Sequence, residues 1–219
     1  MMQAPFCPTY SDLPDDLPIF PLEGVLLLPR GQLPLNIFEP RYLSMIDTAL
    51  ATTHRLIGMI QPRTDGTLYD VGCAGRITTF DETADGRYLV SLSGIIRFRV
   101  VRELEQKNGF RRVQPDWTQY ERDMNAGATL DLDREKLLSL LENFFDQHGL
   151  SCDWSVVKDT PDDRLMTCLS MVCPFEAGEK QALLEAGCCG ERARLFMTML
   201  EIAAARCPEK TKPPLDTKH

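Results

Sequence analysis

Histidine is scarce. The 219 residues hold three, at His54, His148 and His219. A serine or cysteine nucleophile needs a base held beside it, most often histidine, and none of the three sits in a nucleophile-like phrase. His54 falls in a polar turn, His148 at a helix end and His219 at the chain end, so each is read as structural. The eight cysteines (7, 73, 152, 168, 173, 188, 189 and 207) include no CxxC pair, and zinc sites are usually built from close Cys or His pairs. Cys168 and Cys173 are five apart and Cys188 adjoins Cys189; small buried thiols explain them more simply than ligands do. A GxxxxGK[ST] loop is missing, because Gly178-Glu179-Lys180 has the wrong spacing and sets an acid beside the lysine. No apolar run approaches the roughly 20 residues of a bilayer span. Met1 to Asp16 lacks the basic and apolar blocks of a secretion signal, so the expected compartment is cytoplasmic, with reduced thiols. No cofactor, no metal and no enzymatic activity are expected.

Positive charge is also in deficit. Lys and Arg number 24 against 32 Asp and Glu, a net charge of −8 with a pI near 5.0. Such a chain repels phosphate backbones, which argues against nucleic acid as a partner. The one basic concentration is Arg97, Arg99, Arg102, Arg111 and Arg112, with Glu103 and Glu105 close by. A solvated strand face is the favoured reading, and an RNA-binding patch on Arg97 and Arg99 is the alternative. Carboxylate pairs at Asp15-Asp16, Asp131/Asp133 and Asp162-Asp163 read as turns and helix starts.

What is present is ordinary for a globular chain: 43% hydrophobic and 26% charged residues, enough for one large domain or two small lobes. Residues 1–16 read as a loose arm. The apolar stretch LPIFPLEGVLLLPRGQLPLNIFEPRY, Leu17 to Tyr42, holds five prolines. Proline at that density forbids a long helix and any central strand. Short strands are expected at Val25–Leu28 and Leu33–Ile37, then a helix from Pro40 to Ala51 with Tyr42, Met45, Ile46 and Leu50 on one face.

From His54 to Tyr120 the pattern is strand-like: Leu56–Gln61, Val71–Phe80, Arg87–Leu92 and Ile95–Val101. Asp85-Gly86 and Asn108-Gly109 mark hairpin tips. The alternation of Ile96, Phe98 and Val100 with Arg97 and Arg99 predicts one wet face. Short strands at this spacing suggest a small barrel or sandwich. Met124–Ala128 is a candidate boundary. Helices follow at Asp131–His148, from a Thr160 cap with Pro161 at the first position, at Glu176–Ala186 and at Glu191–Arg206. The lysine- and proline-rich tail from 208 to 219 is expected to be flexible.

Leu33 to Tyr42, LPLNIFEPRY, resembles a phrase of the LON substrate-binding domain, the amino-terminal domain of Lon proteases that also occurs as a stand-alone protein. The segments GCAGRITTFDETADGRYLVSLSGIIRFRV at Gly72–Val100 and PFEAGEKQALLEA at Pro174–Ala186 resemble later parts of that family. The turn Pro29-Arg30-Gly31 departs by being one residue wider than the usual Pro-Gly. The resemblance covers roughly residues 17–206. It implies an α+β fold, with a β-rich PUA-like pseudo-barrel over 17–123 followed by an all-α lobe over 124–207. It also implies a non-catalytic module, an adaptor or selector that recognises proteins or unfolded peptide segments without the protease's motor or blade. Glu39, Arg41, Arg97 and Arg99 are its candidate partner-binding residues. For Glu39 and Arg41, flanking Pro40, capping and loop fixation are favoured over a groove lining.

Overall fold

The computed structural model describes residues 8–125, 130 and 132–206. Six strands come first: β1 (Leu17–Pro21), β2 (Gln32–Ile37), β3 (Leu56–Ile60), β4 (Val71–Glu82), β5 (Tyr88–Lys107) and β6 (Phe110–Asp116), with α1 (Pro40–Leu50) between β2 and β3. A 3-10 helix at Thr118–Met124 leads to α2 (Arg134–His148), α3 (Trp154–Asp159), α4 (Asp162–Val172), α5 (Ala177–Glu185) and α6 (Cys189–Arg206). The class is α+β.

The sheet runs β2-β5-β4-β3-β1-β6, and a further β5–β6 pairing closes five of its strands into a ring. Only β1 and β3 pair in parallel. Closure leaves β2 as an added strand on the first half of β5. Pro34 lies within it, as edge strands tolerate. The expected exclusion of proline from a central strand fails at β1, which lies between β3 and β6 and holds Pro18 and Pro21. Pro18 is paired only with β6 and Pro21 only with β3, so each sits where one side of the strand carries no ladder.

Two expected strands, Arg87–Leu92 and Ile95–Val101, are one 20-residue strand, β5. Its register against β4 shifts twice, between Ala74 and Gly75 and between Ile77 and Thr79. Such irregularities bend a strand without ending it. The expected strand at Val25–Leu28 is instead a buried loop: Leu26, Leu27 and Leu28 are buried but carry no ladder. The loop crosses β5 at Gly94, where Arg30 N–H donates to the Gly94 carbonyl at 2.7 Å and Gly94 N–H donates to the Gly31 carbonyl at 2.9 Å. A β-carbon on Gly94 would stand 2.0 Å from the Leu28 carbonyl oxygen, so only glycine admits this crossing.

The helices follow local chemistry. Asp133 accepts from Lys136 N–H at 3.0 Å and caps α2, which ends at Gly149 with φ 63°. Helix α4 begins one residue later than expected, with Pro161 in the cap position. Thr160 does not cap it, because its hydroxyl donates to the Val156 carbonyl at 2.7 Å and closes α3. Phe144, Phe175 and Phe196 stack in series, with centroids 5.5 and 5.4 Å apart, at the centre of the helical core. Part of the expected loose arm is ordered. Thr9 and Asp12 bracket a turn of 3-10 helix, and Asp16 pairs with Arg112. Residues 1–7, the tail 208–219, Cys7, Cys207, Asp131, His219 and most of the expected boundary at 124–128 lie outside the described residues.

The barrel and helices are joined by polar staples as well as apolar packing. Gln61 Nε2 donates to the Ala177 carbonyl at 2.9 Å, and Gln181 Nε2 donates to the Val71 carbonyl at 3.0 Å. Lys180 Nζ donates to the Gly24 carbonyl at 2.8 Å, and burial lowers its pKa. Lys180 and Gln181 come from the phrase at 174–186, so that phrase acts in the join.

Candidate functional site

Arg97 departs most from its sequence reading. It is 4% exposed, not on a wet face. Phe98 points into the barrel, while the outer face at Arg97 is covered by the end of α5 and the 3-10 helix. The side chain is fully engaged. Nε and Nη2 donate to the two Asp123 carboxylate oxygens at 2.8 Å each, and Nη1 donates to the Leu184 and Ala186 carbonyls at 3.0 and 2.7 Å. Its backbone N–H adds a third bond to Asp123 at 3.1 Å. Burial opposes the charge, but the Asp123 bonds and charge outweigh it and raise the guanidinium pKa.

The other candidates lie elsewhere. Arg99 is half-buried beside Tyr120 and Asp116. Arg111 is neutralised by Glu103 at 3.0 Å, Arg102 bonds Gln114, and Arg112 bonds the Glu105 carbonyl. Arg97, Arg111 and Arg112 are thus each paired with a carboxylate, which leaves fewer free cations for an RNA backbone. Glu39 occupies the cap position of α1 but makes no side-chain cap bond. Its carboxylate instead takes Arg41 Nε at 2.9 Å, and the guanidinium lies 4.6 Å from the Tyr42 ring. Arg41 is exposed and Glu39 half-buried, next to the exposed Phe38.

The arrangement best suited to binding is a groove of about 1060 Å³ between the barrel and the helices. The loop Pro29–Gln32 forms one wall, α3 and α4 form the other, and the start of α6 with Arg97 and Asp123 forms part of the lining. Val156 and Val172 stand on the helical wall, 60% and 69% exposed. Of the four sequence candidates, Arg97 lines the groove; Glu39, Arg41 and Arg99 do not. Sequence reading missed Arg30, Arg164, Val156 and Val172. Exposed apolar positions flanking a helix's buried stripe would have been the signal, but they look like ordinary surface.

The thiols divide by burial. Burial raises the Cys73 thiol well above its usual range and pushes Cys173 up to about 12. Both are inert positions. Cys168 and Cys188 are exposed on the groove. Among the described residues no three His, Cys, Asp or Glu side chains gather as metal donors, and no helix is long and apolar enough to cross a membrane.

A family model described as the ATP-dependent protease La (LON) substrate-binding domain matches residues 16–201. Lon protease 2 of Sorangium cellulosum (strain So ce56) is 27% identical over 202 residues, covering 85% of this chain and 24% of that protein. Lon protease 2 of Myxococcus xanthus is 29% identical over 113 residues, covering 48% of this chain and 13% of that protein. The chain thus spans about a quarter or less of the length of these curated relatives. Two solved structures share the fold. The Lon N-terminal domain protein from Xanthomonas campestris aligns with a TM-score of 0.61 at 24% identity, covering 84% of this chain and 97% of that one. The N terminal domain of Mycobacterium avium complex Lon protease aligns at 0.60 and 16% identity, covering 85% and 98%.

Proposed function

The chain belongs to the LON substrate-binding domain family, and from that premise we propose that it is a non-catalytic protein-recognition module that takes extended or unfolded polypeptide segments into the groove between barrel and helices. The β-rich part, 17–123, and the helical part, 124–207, act as one unit with the groove at their junction. In the cytoplasm it serves as an adaptor or selector that presents bound segments for processing elsewhere.

The observation that carries this reading is the groove itself. Its 1060 Å³ exceeds most small-ligand clefts and accommodates several residues of extended chain. Val156 and Val172 offer unpartnered apolar surface beside polar walls, the mixture that peptide grooves use. The test is binding of a fluorescent, reduced and alkylated polypeptide against its folded counterpart. The unfolded probe binds and the folded one does not. Val172→Asp and Val156→Asp each weaken binding by at least tenfold. Val101→Asp, equally exposed on β5 but outside the groove, leaves it unchanged. Equal effects from all three substitutions, or no preference for the unfolded probe, would overturn the reading.

A further inference from the structure

The groove has a charge opposite to that of the molecule. Among the described residues its lining carries five arginines and three aspartates, with no lysine or glutamate, in a chain of net charge −8. Two of the aspartates are already matched: Asp123 is bound to Arg97, and Asp163 lies 3.9 Å from Arg30.

Arg192 is the residue left over. It is 7% exposed, yet among the described residues no carboxylate pairs with it. Its Nε donates to the Leu183 carbonyl at 2.8 Å, which fixes the plane of the guanidinium. The two Nη groups have no partner among the described residues, and the side chain lines the groove. Burial and then the neighbouring Arg97 charge pull its pKa below the usual guanidinium value. Helix α6 brings its N-terminal end, Gly187 to Cys189, to the same place, adding the positive end of an 18-residue dipole. Glu191, the adjacent carboxylate, is turned to the Gly187 N–H at 2.9 Å.

Resting on the reading of the groove as a polypeptide site, we infer that Arg192 and the start of α6 form a carboxylate subsite, so that the preferred occupant is an extended apolar segment carrying an aspartate or glutamate side chain. A guanidinium held by Nε and offering both Nη groups suits bidentate recognition of a carboxylate. The exposed Arg30, Arg122 and Arg164 spread further positive charge along the walls. Charge distributed in this way favours acidic side chains within a segment over capture of a single chain terminus, which would use a closed nest of backbone N–H groups.

The test uses one synthetic 12-residue apolar peptide, with Glu, Gln or Lys at its central position and a free or amidated C-terminus, read by fluorescence anisotropy. The Glu peptide binds about tenfold more tightly than the Gln peptide, and Lys binds weakest. This ratio collapses towards one in Arg192→Gln and is partly kept in Arg192→Lys. Arg164→Gln, at an exposed position, reduces the ratio in a protein that folds normally by circular dichroism. Amidation changes nothing. If Glu and Gln peptides bind wild type equally while Val172→Asp still abolishes binding, the groove stands and the carboxylate subsite falls. A requirement for the free C-terminus overturns the side-chain assignment. Failure of every peptide to bind removes the groove reading and the subsite with it.

Discussion

Replacing Asp123 with alanine should be the most damaging polar-to-alanine change in the molecule. The substitution removes the acceptor of three hydrogen bonds from Arg97 and leaves its guanidinium buried with only the Leu184 and Ala186 carbonyls. Arg192, also buried and positively charged, lies close enough to be felt. Removing one member of a buried ion pair typically costs about 3–5 kcal/mol, because the remaining charge is stranded. For a chain of this size each kcal/mol moves Tm by about 2–4 °C, so Asp123→Ala should lower Tm by about 6–20 °C. Urea unfolding followed by circular dichroism gives the free energy directly.

Two companions make the reasoning refutable. Arg97→Met with Asp123→Leu removes both charges and should recover most of the loss. About 1 kcal/mol should remain for each of the two carbonyls that lose a donor. Glu39→Ala breaks an ion pair of similar length, 2.7 Å, whose members are both about half exposed, and should cost about 0.2–1 kcal/mol. Equal costs for Asp123→Ala and Glu39→Ala would show that burial does not set the worth of the Arg97 pair. A double variant no better than Asp123→Ala would show that the stranded charge is not the cause.

Gly94→Ala places a β-carbon 2.0 Å from the Leu28 carbonyl, which is backbone and cannot rotate away. A loss of about 2–4 kcal/mol is expected by urea unfolding, with weaker peptide binding because the displaced loop is a groove wall. The His54 ring accepts at Nδ1 from Leu56 N–H at 3.4 Å, and burial holds its pKa below 6.5. The unfolded state therefore binds the proton first, so this contribution is present above pH 6.5 and is lost as pH falls through the folded pKa. His54→Gln should flatten that part of the stability profile, and an unchanged profile would refute it. Brief alkylation of the native protein at pH 8, mapped by mass spectrometry, should label Cys168 and Cys188 quickly and leave Cys73 and Cys173 unlabelled until unfolding. Rapid native labelling of Cys73 would contradict its burial opposite Arg97, beneath the helices that cover the barrel.

The fold was legible wherever a local rule operates without competition. Asp85-Gly86 and Asn108-Gly109 mark real hairpin tips, Pro40 opens α1, and Gly149 ends α2. Reading failed where an element is decided by what crosses it. Leu26 to Leu28 have a strand's composition, yet they cross β5 as a loop that Gly94 holds through two backbone hydrogen bonds, with Arg30 and Gly31. Arg97 has the alternation of a wet face, but period-two patterning reports only that neighbouring side chains point to opposite sides. Whether the second side meets water depends on residues 26 and 87 positions further on, Asp123 and Leu184. The groove was illegible for the same reason. Its five arginines come from a loop at Arg30, a strand at Arg97, the 3-10 helix at Arg122, a helix at Arg164 and another at Arg192, with no spacing to connect them.

The proline-broken opening does more than divide the chain into short strands. Pro21 ends β1, and the chain must then reach β2 without entering the ring, because β5 already pairs with β2 and β4 at that level. The buried leucines pin the connecting loop across Gly94, and the Pro29-Arg30-Gly31 turn projects it towards the helices, where Pro29 to Gln32 become the barrel's wall of the groove. Arg30 holds a positive φ of 67° there and reaches both the Asn125 carbonyl and Asp163. That conformation is costly for a side chain other than glycine, and the bonds across the junction offset it. The turn at which this chain departs from the family's usual phrase therefore builds one side of the proposed binding site. A substitution there that keeps the barrel intact, such as Arg30→Gly, should relieve the backbone strain while loosening the groove. Stability should hold or rise as peptide affinity falls. Parallel loss of both would place the turn's role in folding alone.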